Sequence, residues 1–140
     1  MTNDYDKLRA MKACAPALRW IGTRTIEQAW RECGRSEWLC WLLDRIAPGD
    51  PRLRLAAADM AERVWDLIPD EPERLAAAWA IGAARRGDAD EMRAAYATAY
   101  DAATYAAAAA AANERAAQAD ILRQYFSARE IGRLFRQAPA

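Results

Sequence analysis

The chain of 140 residues contains no histidine, so no imidazole is available as a catalytic base, proton shuttle or metal ligand. This absence excludes a Ser-His-Asp triad, a Cys-His pair and every zinc site that includes histidine. Glycine-rich phosphate loops and paired Cys-x-x-Cys ligands are missing as well. The composition therefore favours a non-catalytic binding protein that needs no cofactor and no metal.

Cysteine is also scarce: Cys14, Cys33 and Cys40 are too few and too far apart to form a disulfide framework. They lie among apolar residues, which predicts reduced thiols in the core of a cytoplasmic protein. The sequence has no run of about 18 strongly apolar residues, and no apolar signal stretch follows its first residues. We therefore expect no contact with a membrane.

Alanine is the most abundant residue of the chain. The chain has 36 alanines, whereas Leu, Ile, Val and Phe together number 21. Zero net charge and six tryptophans argue against disorder, and the large indoles are expected to fill a core that small alanines leave loose. Because alanine favours helices and β-branched residues are rare, the sequence predicts an all-α fold. We expect a compact multi-helix bundle that forms one domain over residues 1–140.

Caps and helix-breaking residues place the predicted helices. An oxygen-bearing residue that precedes Glu or Gln by three positions predicts a capping box, and such boxes begin at Thr25, Asp70, Asp88 and Ser127. Further boundary signals are an N-cap at Ser36 and helix-ending glycines at Gly22, Gly34 and Gly87. The predicted helices cover residues 4–14, 16–21, 26–33, 37–47, 51–68, 71–86 and 89–126, followed by a C-terminal helical extension over 127–140.

The segment 89–126 contains neither Gly nor Pro and predicts a long Ala-rich central helix. A continuous helix of this length would span about 57 Å, so we expect a break at Asn113 and Glu114. Tyr105 lies opposite the stripe that we expect to face the core. That stripe, at helical spacing, is Met92, Tyr96, Tyr100, Ala103, Ala107, Ala110, Ile121 and Tyr125.

Charged blocks are the candidates for partner binding, because such blocks steer association with an oppositely charged protein. The blocks are acidic at residues 66–73 and at the N-terminus of the long helix, and basic at Arg85 and Arg86; the arginines near the C-terminus are a separate set of candidates. The candidate residues are Arg123, Arg129, Arg133, Arg136, Tyr105, Asp88, Asp90 and Glu91. Acidic residues at a helix start and basic residues in a last helix also complement the helix dipole, and such residues more often belong to an ordinary solvated face than to an interface.

Two alternative functions stay open. Helical stretches on both sides of Ser127, together with the nearby arginines, are loosely similar to a helix-turn-helix and suggest a small DNA-binding regulator. Zero net charge and the lack of glycine in the turn make nucleic acid the less favoured partner. The Ala-rich helix could also pair with that of a second copy, as in a homodimer or an assembly protein, because alanine permits close approach of backbones.

The order of features over residues 8–126 resembles a family of small Ala-rich helical proteins from phages and prophages, whose members are labelled immunity proteins. The most specific part is Trp38-Leu39-Cys40-Trp41-Leu42-Leu43, which follows a Cys-bearing helix and precedes the Ala/Tyr-rich helix. Residues 127–140 depart from the family's pattern. The resemblance implies a cytoplasmic, non-catalytic protein that binds and blocks another protein. Its target would be a host defence complex, such as a CRISPR effector, for a phage-encoded member and a cognate toxin for a chromosomal one.

Overall fold

The computed structural model describes residues 3–63, 78, 81–82, 85–86 and 108–140. Within these residues the regular structure consists of seven helices and no strand, which confirms the all-α prediction. The helices are α1 (Asp4–Ala10), α2 (Ala15–Ile21), α3 (Ile26–Glu32), α4 (Ser36–Ile46), α5 (Pro51–Arg63), α6 (Ala108–Tyr125) and α7 (Ala128–Gln137). No helix in these ranges is long and apolar enough to span a membrane.

Several predictions concern other parts of the chain and lie outside the described residues. They include most of the helix predicted over 71–86, the first part of the long Ala-rich helix, and the turn between the predicted helices 51–68 and 71–86. The individual residues in this group are Asp70, Asp88, Gly87, Trp65 and Trp79, together with the stripe from Met92 to Ala107.

Two predicted caps are present at the starts of α3 and α7. At α3 the capping box is complete: the Gln28 backbone N–H donates to Thr25 Oγ1 at 3.2 Å, and the Thr25 N–H donates to Gln28 Oε1 at 2.9 Å. At α7 Ser127 Oγ accepts from the Glu130 N–H at 3.1 Å. The Glu130 carboxylate pairs instead with Arg52 of α5, so this box is only half closed. Caps of this kind stabilise a helix by about 1 kcal/mol.

Three predicted boundaries were wrong. Helix α1 ends at Ala10 instead of residue 14, because the backbone turns at Lys12 with a φ of +71°. Gly34 does not adopt the left-handed conformation expected of a helix-ending glycine; the chain leaves α3 in an extended conformation. Ser36 is the first residue of α4 and not its N-cap, since its buried hydroxyl donates to Gln118 Oε1 of α6 at 3.2 Å.

The Ala-rich helix does not break where we predicted. Helix α6 continues through Asn113 and Glu114, and Glu114 uses its helical position to pair with Arg63 of α5 at 3.0 Å. The buried side of α6 is also rotated by about one residue from the predicted stripe. It consists of Gln118, Ala119 and Leu122 and is continued by Phe126, the residue after the helix, whereas Ile121 and Tyr125 are only half-buried.

Helix α3 lies at the centre of the core and packs against α7. Trp30 is 1% exposed, which confirms its predicted place in the core. Its indole N–H donates to the Phe126 carbonyl oxygen at 3.0 Å, and its ring meets the Phe126 ring edge-on at a centroid distance of 6.4 Å. Gly132 of α7 is buried where a Cβ atom would overlap the Glu27 carboxylate. Glycine at this position therefore leaves room for the Glu27 carboxylate, which pairs with Arg136 of α7.

Polar contacts also hold α7 in place. Arg52 pairs with Glu130 at 2.5 Å and with Asp50 at 2.9 Å, and the hydrogen bonds from Arg52 lower the pKa of the Asp50 carboxyl. Lys7 of α1 donates to backbone carbonyls near the end of α7. Residues of α7 thus contribute to the same core as α3, and the helix does not project from it.

Candidate ligand-binding cleft

A cavity of about 290 Å³ opens between α1, α2, α3 and α4. Its walls are mainly apolar and include Leu18, Trp20, Ile26, Trp38 and Trp41. The volume is close to that of the smallest ligand pockets, about 300 Å³. The cavity can therefore receive one bulky apolar group. We refer to it as the tryptophan cleft.

The cleft exists because small and large side chains alternate around it. Ala13, Ala17 and Ala29 line it beside the indoles, and methyl groups cannot fill the space between rings of that size. Helix α2 begins with Pro16 in its first turn, a position that suits proline because its missing N–H would have no helical partner there. The three seven-residue helices α1, α2 and α3 together form the wall of the cleft opposite α4.

Each half-buried indole of the cleft carries an arginine against its face. Such pairs attract through the ring quadrupole, and Trp and Arg are the residues most enriched in interface hot spots. Trp20 and Trp38 also contact one another, with ring centroids 6.1 Å apart. The cation–ring pairs are Arg24 with Trp20 at 4.5 Å, Arg35 with Trp38 at 4.5 Å and Arg45 with Trp41 at 5.2 Å.

Two charged residues line the cleft, Lys12 and Glu37. Glu37 Oε1 accepts from Arg35 Nε at 2.7 Å, whereas Glu37 Oε2 is buried and has no hydrogen-bond partner among the residues that the structure describes. The neighbouring Cys33 is buried, and this burial raises the pKa of its thiol. Arg35 offsets the charge of Glu37, whereas Lys12 has no oppositely charged partner among the described residues.

The segment that forms the cleft is more basic than the rest of the chain. Residues 8–42 contain six cations and three anions, although the whole chain has 20 of each. The remaining residues therefore contain more anionic than cationic side chains. An excess of positive charge in the segment that forms an apolar opening favours association with an acidic partner.

Arg123, one of the candidate partner-binding residues, is directed into the protein. Its Nε donates to the Trp30 carbonyl oxygen at 2.8 Å, its Nη2 donates to the Cys33 carbonyl oxygen, and its Nη1 pairs with Asp120 at 2.9 Å. The last carbonyls of a helix have no partner within the helix. Arg123 therefore caps the end of α3 from α6.

The three arginines of α7 are exposed, and none of them lines the cleft. Arg136 pairs with Glu27 of α3, and Arg133 lies 3.5 Å from Glu130 of its own helix. Arg129 is the third exposed arginine of α7. The other candidates, Tyr105, Asp88, Asp90 and Glu91, lie outside the described residues.

Sequence reasoning placed every tryptophan in the core and so missed the cleft. Trp20, Trp38 and Trp41 are only half-buried. A signal was present in α4, where Trp38, Trp41 and Arg45 recur at spacings of three and four beside the buried stripe that contains Leu39 and Leu43. A helix that carries two tryptophans beside its buried stripe has a second apolar surface available for contact.

Comparison with known proteins adds no relative. No protein-family model matches the chain, and no curated protein or solved structure is significantly similar to it. In the part of the chain that the structure describes, no three His, Cys, Asp or Glu side chains are placed to hold a metal ion.

The cysteines provide a test of the environment of the cleft. Cys33 and Cys40 are buried as predicted, whereas the prediction for Cys14 was wrong: Cys14 immediately precedes α2 at the cleft and is exposed. We expect one thiol per chain to react quickly with an aromatic disulfide reagent and two to react only when the protein opens. The raised pKa of Cys33 further lowers its thiolate fraction at neutral pH. Mass spectrometry of the trapped adducts identifies the sites.

In the same assay, Cys14→Ser is expected to remove the fast phase and leave the slow phases unchanged. Three thiols that react at one fast rate under native conditions would contradict the burial of Cys33 and Cys40.

Proposed function

We propose that the protein is a non-catalytic antagonist that binds another protein and blocks it in the bacterial cytoplasm. For a phage-encoded protein the target is a host defence complex such as a CRISPR effector; the toxin-immunity version of the same activity blocks a toxin. The observation that supports this proposal is the tryptophan cleft, an apolar opening edged by three Trp–Arg pairs.

The cleft has the composition of the centre of a protein interface. Binding energy in interfaces is concentrated in a few Trp, Tyr and Arg residues that occupy pockets near the middle of the contact. A stable interface buries about 800 Å² on each partner, so the cleft would receive one anchoring side chain while neighbouring helix faces supply the rest. The basic character of residues 8–42 favours a partner with an acidic surface.

The test uses a cleft variant and a matched variant elsewhere. Trp38→Ala removes one wall of the cleft, whereas Leu55→Ala removes an exposed apolar side chain from α5, which does not line it. Wild type and both variants are expressed with an affinity tag in a bacterium that carries defence systems. Proteins that co-purify with wild type are identified by mass spectrometry and purified for activity assays.

We expect wild type and Leu55→Ala to bind the captured protein and inhibit its activity. Loss of a hot-spot tryptophan costs about 2 kcal/mol or more, so Trp38→Ala should bind about 30-fold more weakly and inhibit correspondingly less. Circular dichroism and the melting temperature establish that the variant is folded. Equal inhibition by Trp38→Ala and wild type would contradict the proposal, as would recovery of the protein only with itself or with nuclease-sensitive DNA.

A further inference from the structure

Lys12 combines an unusual backbone conformation with a position in the cleft. The turn after α1 is a Schellman motif, in which the Lys12 N–H donates to the Arg9 carbonyl oxygen at 3.0 Å and the Ala13 N–H donates to that of Leu8 at 3.1 Å. The residue that occupies the Lys12 position of this motif is usually glycine, because left-handed φ angles crowd the Cβ atom of other residues. Lys12 adopts a φ of +71° there.

The ammonium group of Lys12 takes no part in holding the described structure together. Its side chain is exposed and makes no ion pair or hydrogen bond with residues 3–63 or 108–140. The arginines at the edge of the cleft differ, because Arg24 pairs with Glu32 and Arg35 pairs with Glu37. A strained position occupied by a lysine that stabilises nothing nearby indicates a functional role for its charge.

We infer that the cleft captures the C-terminal residue of the partner protein, with its apolar side chain against the indoles and its α-carboxylate on Lys12. This inference rests on the proposed antagonist function and specifies the group that the cleft recognises. Lys12 and Trp38 line one small cavity, which favours an occupant whose anion and apolar group lie close together. The Cα atom of a terminal residue carries both groups, whereas neighbouring side chains in an extended internal segment point in opposite directions.

The first test uses two small probes that differ only in charge. N-acetyl-L-phenylalanine reproduces an apolar chain end, and its primary amide has the same shape without the carboxylate. Both are titrated into the isotopically labelled protein while the indole N–H resonances of Trp20, Trp38 and Trp41 are followed. An exposed ion pair contributes up to about fivefold in affinity, so we expect the acid to bind about fivefold more tightly than the amide and to shift the cleft resonances.

Variants of Lys12 separate recognition from stability. Lys12→Gly removes the ammonium and relieves the strained backbone, so the melting temperature should rise by about 2–4 °C while the acid and the amide become equal in affinity. Lys12→Arg keeps the charge and should keep the preference for the acid. A purely structural lysine would leave the ratio of the two affinities unchanged in Lys12→Gly.

Three outcomes would overturn the inference: equal affinities in wild type, a preference that survives in Lys12→Gly, or cleft resonances that neither probe shifts. A third probe, 3-phenylpropanoate, tests whether the bound group is a chain end. If 3-phenylpropanoate, which lacks the acetylamino group, binds as tightly as N-acetyl-L-phenylalanine, the cleft recognises a free small acid, and the assignment to a chain end is wrong.

If partner inhibition depends on Trp38 but N-acetyl-L-phenylalanine and its primary amide bind equally, the inference fails and the antagonist function stands. If the acid is preferred but inhibition is insensitive to Trp38→Ala, the antagonist function fails.

Discussion

Replacement of Trp30 by alanine is expected to lower the free energy of unfolding by about 3–5 kcal/mol, a large part of the 5–15 kcal/mol typical of a domain. Trp30 is almost fully buried at the centre of α3. The substitution removes its packing against Phe126 and leaves a cavity between three helices. It also deprives the buried Phe126 carbonyl of the indole N–H donor.

Urea unfolding monitored by circular dichroism measures the loss. Trp41→Ala is the matched control, because the same indole is removed from a half-buried position at the cleft, where the loss should stay below about 2 kcal/mol. Trp30→Phe separates the two contributions at the buried site, since it keeps an aromatic ring and removes the N–H. Equal losses for Trp30→Ala and Trp41→Ala would contradict the placement of Trp30 at the centre of the core.

Removal of residues 127–140 is expected to abolish cooperative folding. Ile131 and Phe135 of α7 are essentially unexposed, and each buried side chain of this size stabilises the fold by about 1.5–3 kcal/mol. Their loss also uncovers the face of α3 on which they pack. In addition, Arg52 and Lys7 lose their partners on α7.

Thermal melting and binding of a hydrophobic dye distinguish the outcomes. The shortened chain should show no sharp transition and should bind the dye, whereas removal of Pro139 and Ala140, which are both exposed, should change neither property. Arg129→Glu with Arg133→Glu tests the charges of α7 without uncovering its apolar face. A sharp transition in the chain that ends at Phe126 would show that α7 contributes little to the core.

Much of the local structure was predictable because it depends on short-range chemistry. The capping box of Thr25 and Gln28 lies within one helical turn, and α2 and α4 end within one residue of the predicted positions. The end of α1 was not predictable, since a left-handed residue is signalled in a sequence by glycine and here it is Lys12. The buried side of α6 was also ambiguous, because alanines on several faces give a helix no preferred orientation.

The candidate site was less predictable, because it depends on contacts between distant segments. Whether Trp30 or Trp38 lies deeper is decided by the helices that cover each of them, and the packing of α7 on α3 has no local signal in the sequence. Arg123 shows the same limit. A surface arginine and one that caps a helix 90 residues away have the same local sequence pattern.

The contacts that fasten α7 join segments that are very distant in the chain. The bond between Trp30 and Phe126 spans 96 residues, and that between Lys7 and Phe135 spans 128. Most helical proteins fold fast because their contacts are local, whereas closure of a long loop must be completed before distant contacts contribute any energy. This protein therefore adds contacts of very large sequence separation to a helical fold, and its folding rate should be limited by the encounter of α7 with α1 and α3, after the individual helices form.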